Sequence, residues 1–527
     1  MQLTNKTILF LIGTAMLLPL LGLAAWLWQR FYRDDESNTA RRVLKNSALP
    51  IVATLINKIV DLGFAAVTLR ALGLSGNGAY SVVTTIVSLY LVTITNWGLN
   101  DLTVREVAAD HTRARRLFSI TLLLRGGLSL LMAPVAALIV GIYQLIGNPL
   151  SAASVVALAV LVLHLLPSSL AAACSASFQA FQRMEIPASI ALVTNVLKVL
   201  LGTLMFLLVQ DVGERVIGLA VLALVVTLFN SIIFFVLQQQ LLFRFRLEWN
   251  WLEARGLLRE AFPLMLNSLL LGVFFKFDAL ILRGYGNDAV VGAYDAAYKW
   301  IGMTQIIPPY FVAALFPVLA RHAATDRPAL LRTYRQAATL LQLLAWPLTV
   351  GVMVLSPQLI LLLGGTAYLP AAAVALSILI WYLPLSYFNG VTQYVLIALR
   401  QQHALTVAFG LATLANVTLN LVLISRAPAT GYVFAAIVTV ITEVVLLLPF
   451  LRILRREGAL LNLLALMWRP ALAALAMGAA MLAVYNLGPQ GLLATALAAP
   501  VYLAALWVLG AFGTEERALL RRVLGRT

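Results

Sequence analysis

The chain has 527 residues, 62% of them apolar and 11% charged, with a mean hydropathy of +0.94. A soluble chain of this size carries about a quarter charged residues, so a string of soluble domains is excluded. Collagen-like and disordered chains are excluded too, and the single cysteine, Cys174, rules out an internal disulfide framework. What remains is a polytopic membrane protein with a net charge of +16, whose sign has to be tested against topology before nucleic acid is considered.

A membrane-crossing helix needs about 20 apolar residues. On that rule the spans are predicted, in chain order, at 8–28, 48–71, 79–101, 118–143, 151–175, 188–210, 216–238, 263–283, 292–319, 337–361, 371–399, 404–425, 431–451, 470–486 and 491–512. Sustained apolarity without ten-residue alternating segments favours helices over a barrel. The first span has one basic residue before it and five after it. That asymmetry favours an uncleaved helix with its N-terminus outside over a signal peptide, a misplaced start codon being the alternative.

Twenty-seven of the 37 basic residues fall on every second connection: 29–47, 102–117, Arg183, 239–262, 320–336, Arg400, 452–469 and the tail after 512. The opposite connections hold only Lys6, Arg215 and Arg426. The first set is therefore cytoplasmic and the surplus is an orientation signal, which leaves no call for nucleic acid. Segment 239–262, with Phe243, Phe245, Trp249, Trp251 and four arginines, reads as an amphipathic surface helix.

Two stretches repeat each other. Pro50, Arg70 and Gly78-Ala79-Tyr80 recur as Pro263, Arg283 and Gly292-Ala293-Tyr294, at offsets of 213, 213 and 214 residues. Each copy opens a block of six spans that starts inside, and such parallel repeats are a transporter arrangement with the binding site between lobes. The expected domains are 1–47 (an extra N-terminal transmembrane helix and cytoplasmic linker), 48–262 and 263–456 (six-helix lobes, the first with its cytoplasmic amphipathic segment) and 457–527 (two C-terminal helices and a basic tail). The fold class is an all-α polytopic membrane protein with a fourteen-helix core and one added N-terminal span.

The residues from Ser47 to Ala108 carry a family resemblance. Asn46-Ser47 precedes the first core span, Leu69-Arg70-Ala71-Leu72-Gly73 leads into Gly76-Asn77-Gly78-Ala79-Tyr80-Ser81, and Trp97-Gly98-Leu99 is followed by Val104-Arg105-Glu106-Val107-Ala108. Phe316-Pro317-Val318-Leu319-Ala320 closes the eighth core span. Their order and spacing resemble the bacterial polysaccharide (oligosaccharide) flippase family, and span count and layout extend the likeness from about 47 to 512. A fourteen-helix flippase normally lacks the span in residues 1–46. The resemblance implies the multidrug/oligosaccharidyl-lipid/polysaccharide exporter fold and a bacterial cytoplasmic membrane location. It also implies transfer of an undecaprenyl-pyrophosphate-linked oligosaccharide to the outer leaflet, with glycosyltransferases or a polymerase of that pathway as partners beside the membrane lipids.

Charges inside the spans are the candidate site. By rise per residue Lys58 lies about 12 Å in from Pro50 and Asp61 about 16 Å; Lys198 lies about 15 Å into its span, Arg125 about 10 Å and Lys276 about 20 Å. Each deep charge costs roughly 2.5–3.5 kcal/mol on insertion scales, so each needs a polar interior, a partner or a ligand. Lys58 and Asp61 are spaced to pair along one helix, whereas Arg125 and Lys198 have no carboxylate in their own spans. Under the resemblance, the first lobe's excess of cations suits a pyrophosphate held by Lys58, Arg125, Lys198 and Lys276. For Arg125 snorkelling to the inner surface is the competitor.

Arg70 and Arg283 fall about 30 Å into their spans, at the outer rim, as outer gates or as snorkelling side chains. Lys299 and Asp295 can pair at i,i+4. Asp61, Asp278 and Glu443 are candidate proton or sodium sites, or hydrogen-bonded acids. Pro308-Pro309, Pro347 and Pro384 are expected to kink helices. No Gly-Lys pair, HExxH or CxxC occurs, so no ATP site, metal or cofactor is expected. Three alternatives stand beside the flippase. A cation-coupled multidrug exporter would favour carboxylates in its cavity, a glycan polymerase or ligase would need an external catalytic loop, and a scaffold would leave the cations unexplained.

Overall fold

The computed structural model describes residues 39–485 and 492–510, and every described element is helical. The expected span 8–28 and the basic tail lie outside the described residues. The elements are α1 (Thr39–Thr85), a π-helical segment Ile86–Leu91, α2 (Val92–Asn96), α3 (Leu99–Ala109), α4 (Ala114–Leu145), α5 (Ala152–Ala180), α6 (Glu185–Leu208), α7 (Val212–Leu241) and α8 (Trp251–Tyr285). They continue as α9 (Asp288–Thr304), α10 (Ile307–Thr325), α11 (Arg327–Val354), α12 (Ser356–Gly364), α13 (Ala371–Leu379), α14 (Leu383–Ala398), α15 (Gln402–Arg426), α16 (Gly431–Arg456), α17 (Leu463–Val484) and α18 (Leu492–Val508).

Among the described residues twelve helices are long and apolar enough to cross a membrane, and a shorter apolar one, Ala494–Val508, follows. The first, Thr54–Asn96, has 43 residues, about 65 Å at 1.5 Å per residue, twice the hydrocarbon thickness. It is kinked at Gly73 and takes in most of the expected spans 48–71 and 79–101, the second ending at the Trp97-Gly98 turn and not at 101. Pro308-Pro309 stand in the first turn of α10 and Pro384 in the first turn of α14. There a missing N–H costs nothing, so these prolines start helices, while Pro347 lies inside α11.

Segment 239–262 is not one helix. α7 ends at Leu241, residues 243–250 form no regular element, and α8 begins at Trp251 with the side chain of Asn250, itself extended, capping Glu253. Alternation decides it: Phe243 and Phe245 turn inward while Arg244 and Arg246 are exposed, a period of two that a helix cannot satisfy.

The chain divides by contact into two compact units, Met1–Asp295 with Ala427–Ala429, and Ala296–Arg426 with Thr430–Thr527. In the first, α5 packs along α7 and α1 along α6. Its inner end is a cluster of Leu99, Leu102, Leu117, Ile120, Leu257 and Ala261 from α3, α4 and α8. The chain reverses into α3 at Trp97 (φ 49°) and Gly98 (φ 72°). A Cβ on Gly98 would stand 2.7 Å from that of Leu264 and 2.8 Å from the Ala261 carbonyl. The Trp97 indole donates to the Leu258 carbonyl at 3.0 Å, so this turn is seated against α8 just before Pro263. In the second unit α11 packs on α17, where Val350 presses on Gly478 amid Ala473, Ala474 and Met477. Small residues let helices approach closely where apolar burial gives no net drive.

The two repeat copies meet within the first unit. A Cβ on Gly78 would lie 1.7 Å from the Asp288 carbonyl oxygen, and one on Gly292 2.0 Å from that of Leu74. Asn77 completes the crossing, donating to the Gly292 carbonyl and to Asp295 at 3.3 Å each. Gly78→Ala is expected to cost about 2–3 kcal/mol by overpacking. Gly302→Ala, whose Cβ meets nothing within 4 Å, should be neutral or gain up to about 1 kcal/mol. Thermal melting of the two variants in detergent reads the difference.

Candidate functional site

The intramembrane charges find partners on other helices. Lys198 on α6 meets Asp61 on α1 at 2.5 Å and lies 5.6 Å from the centre of the Phe64 ring. One turn away, Asn195 donates to the Asn57 side chain at 3.0 Å and to its carbonyl at 3.3 Å. α1 and α6 are thus joined by two polar bridges at successive turns. The i,i+3 pairing of Asp61 with Lys58 is replaced by a pairing across helices. Lys58 itself is exposed and, among the described residues, has no carboxylate within ion-pair distance.

Arg125 is enclosed, with 1% of its surface exposed. Its Nη2 donates to Asn100 Oδ1 of α3 at 2.7 Å, and its Nε and Nη1 have no hydrogen-bond partner among the described residues. Snorkelling is overruled by this burial, since the guanidinium reaches neither headgroups nor solvent. It stands eleven residues into α4, about 16 Å from the helix start.

Lys276 on α8 reaches Asp295 of α9 at 3.5 Å, so Asp295 faces Lys276 and Asn77 and not only its i,i+4 neighbour Lys299. Asp278 is buried, accepting from the Tyr294 hydroxyl and from the Ala279 amide at 2.7 Å. Its partner comes from the repeat's own Gly292-Ala293-Tyr294 triplet.

Arg283 is buried in a clasp. Its Nε lies 2.7 Å from Asp288, Nη1 donates to Asn148 Oδ1 at 2.7 Å and Nη2 to the Pro149 carbonyl at 2.8 Å. Asn148 returns a bond to the Gly286 carbonyl at 2.6 Å. These bonds tie the turn between α4 and α5 to the end of α8, which is a fastening and not rim snorkelling. Arg70 is half-buried and is also engaged within the fold.

In the second unit Glu443 on α16 is 4% exposed and accepts from Asn389 of α14 at 2.7 Å. Asn389 also donates to the Glu443 backbone carbonyl at 3.0 Å, with the Ser386 hydroxyl beside the carboxylate. Gln305 bonds Ser386 at 3.0 Å and the Tyr382 hydroxyl at 2.6 Å. Adjacent to Glu443, Thr442 accepts from Asn416, which in turn accepts from Asn420. Gln305, Tyr382 and Ser386 escaped sequence reasoning because each is unremarkable alone; only the fold brings them to Glu443. Among the described residues no three His, Cys, Asp or Glu side chains gather as metal ligands do.

Among the basic connections, Glu253 of α8 meets Arg116 at 2.6 Å and Arg113 at 3.5 Å, Glu106 meets Arg113 at 2.9 Å, and Arg105 pairs with Glu260. The Thr112 hydroxyl and amide hold the exposed Asp110 carboxyl below its usual range.

A repeated helical membrane protein with charges bridged between its spans defines the class, and the fold is that of the multidrug/oligosaccharidyl-lipid/polysaccharide exporter superfamily. The lipid II flippase MurJ in an inward closed conformation aligns with a TM-score of 0.73 at 15% identity, over 90% of this chain and all of that one. An inward-facing multidrug resistance MATE family transporter aligns at 0.61 and 16%, over 76% of this chain and 95% of its own. A superfamily transporter from Pyrococcus furiosus, reported with a binding pocket of reverse polarity, aligns at 0.55 and 15%, over 79% and 96%. At these identities the likeness shows the fold. No curated protein is matched by sequence. The chain belongs to the family described as Polysaccharide biosynthesis protein, whose profile matches residues 43–323, and the MatE profile matches 263–422.

The bridge between α1 and α6 is testable by a double-mutant cycle. Asp61→Asn and Lys198→Met should each lower the melting temperature in detergent. The double variant should recover part of the loss, with a coupling of about 1 kcal/mol; additive losses would mean that the pair does not interact.

Proposed function

We propose that the chain flips an undecaprenyl-pyrophosphate-linked oligosaccharide from the inner to the outer leaflet of the bacterial cytoplasmic membrane by alternating access, during surface polysaccharide biosynthesis. The observation that carries the reading is Arg125, a buried guanidinium with two of its nitrogens without a hydrogen-bond partner and no carboxylate beside it among the described residues. A buried cation left so is costly, and a planar fork of donors matches a diphosphate. Lys58 is the second cation without an acid. Lys198 and Lys276 carry partners that a diphosphate would have to displace or share. Arg125 is enclosed, so in this reading its site opens as the lobes 48–262 and 263–456 move. Glycosyltransferases supply the cargo and a polymerase or ligase consumes it.

Glu443, held by Asn389 within a polar cluster, supports ion coupling, and Asp61 and Asp278 are further candidates in the first unit. The same acid favours the second reading, a cation-coupled multidrug exporter, for which the MatE match over 263–422 also speaks.

Arg125→Gln with Lys58→Gln should reduce surface glycan export at least tenfold at unchanged protein level in a flippase-deficient host. Export at the normal rate would overturn the diphosphate reading, and restored drug resistance without glycan export would establish the second. Glu443→Gln should leave residual transport insensitive to the proton or sodium gradient, measured in proteoliposomes with each gradient imposed separately.

A further inference from the structure

The strap between α7 and α8 has two opposite faces. Inward, the Phe243 and Phe245 rings each lie 5.8 Å from that of Phe118, and Phe245 lies 6.2 Å from Phe235. The Phe245 amide donates to Gln239 at 2.7 Å. The Ser119 hydroxyl of α4 both donates to the Glu248 carbonyl at 2.8 Å and accepts from its amide at 2.7 Å. The strap is thus a fixed element, fastened to α4 and α7.

Outward stand Arg244 and Arg246, then Leu247, Trp249, Trp251 and Leu252 with 48–80% of their surfaces exposed. The two indoles lie 6.3 Å apart. Trp251, Arg255 and Arg259 follow at intervals of four on α8 and share a face. Of the acids nearby, Glu253 is taken by Arg113 and Arg116 and Glu260 by Arg105, while Glu248, half-buried on the strap, engages Ser119 through its backbone. Among the described residues none of Arg244, Arg246, Arg255 and Arg259 has a carboxylate within 4 Å.

We propose that this face is a binding site for the anionic headgroups of inner-leaflet phospholipids. α8 continues from it into a membrane-crossing helix, so the patch lies at headgroup level. Tryptophan settles there because its ring is apolar and its N–H is polar. Arginine forks bind phosphate diesters in pairs of hydrogen bonds, and a cluster of basic residues beside a span gathers anionic lipid. Four cations without acids give the charge complementarity that a soluble protein partner would need no tryptophan pair to exploit.

The test is native mass spectrometry of the full chain in detergent, titrated with phosphatidylglycerol, diphosphatidylglycerol and phosphatidylcholine. The unaltered chain should retain the two anionic lipids and release phosphatidylcholine. Arg244→Gln, Arg246→Gln, Arg255→Gln and Arg259→Gln together should weaken anionic lipid at least about tenfold. A charge-matched control, Arg321→Gln, Arg332→Gln, Arg335→Gln and Arg452→Gln, should not. Trp249→Ala with Trp251→Ala should shorten retention of both anionic lipids. Melting curves confirm that each variant is folded; should the quadruple variant fail, Arg244→Gln with Arg246→Gln on the exposed strap should weaken binding about threefold. Equal losses in the control, equal retention of phosphatidylcholine, or unchanged lipid preference with loss of a cytoplasmic protein would overturn the proposal.

Discussion

A charge that enters hydrocarbon without water must bring its partner with it, because nothing in the solvent will supply one. Lys198 uses Asp61, Lys276 uses Asp295, and Arg283 uses Asp288 with two backbone carbonyls and Asn148. Every one of these partners lies on an element remote in sequence or on the next helix, so each pair also fixes a register. α1 can slide along α6 only by breaking a 2.5 Å ion pair and the Asn57–Asn195 bridge together. Polar groups therefore determine alignment in a structure whose apolar surfaces, bathed in lipid, discriminate little between one register and another.

Close approach supplies the second constraint. Gly78 and Gly292 cross with no room for a methyl group on either, and this brings Asn77 to Asp295 and so to Lys276. The tight crossing and the charge network are one arrangement, since the backbone proximity allows Asn77 to donate to both the Gly292 carbonyl and the Asp295 carboxylate. At the other end of the first unit's spans Gly98 plays the comparable part against Ala261 and Leu264 of α8, and the ion pairs of Arg105, Arg113 and Arg116 join α8 to α3, to the turn after it and to α4. Those pairs are exposed, so their contribution is small singly; the buried Leu102, Leu117 and Leu257 beneath them hold the block.

Span content was legible because apolarity adds up along a single segment and because arginines mark one side of the membrane residue by residue. The Gly-Ala-Tyr repeat was legible for the same local reason. That its two copies meet was not, since an offset of 214 residues says nothing of distance in space. Spacing within one helix assigned Asp61 to Lys58, and it had no means of seeing Lys198, 137 residues away. Depth arithmetic put Arg125 inside the membrane but not inside the protein, and burial is what separates a functional candidate from a snorkelling side chain. The strap is different: Phe243-Arg244-Phe245-Arg246 alternates openly in the sequence, and a reading by composition passed over a period that marks extended chain. Pro308 and Pro384 were recognised as interruptions, and only the helix boundaries show that they initiate.

The charges are distributed unequally between the two units. The first holds Lys58, Arg70, Arg125, Lys198, Lys276 and Arg283 against Asp61, Asp278, Asp288 and Asp295, an excess of two cations. The pairing widens that excess in place, because Asp278 binds a tyrosine and not a cation, and Arg125 binds only an amide. Lys58 and Arg125 face no carboxylate within ion-pair distance among the described residues, and Arg125 is the enclosed one of the two, which centres the proposed diphosphate contact on its guanidinium. In the second unit Glu443 sits among neutral donors with no Lys or Arg within ion-pair distance among the described residues. An acid so placed gains more from a proton or a small cation than an ion-paired one does, because no cation has already neutralised it. A transporter of an anionic headgroup driven by a cation needs a cationic seat for one and an acidic seat for the other, kept apart so that they do not pair with each other.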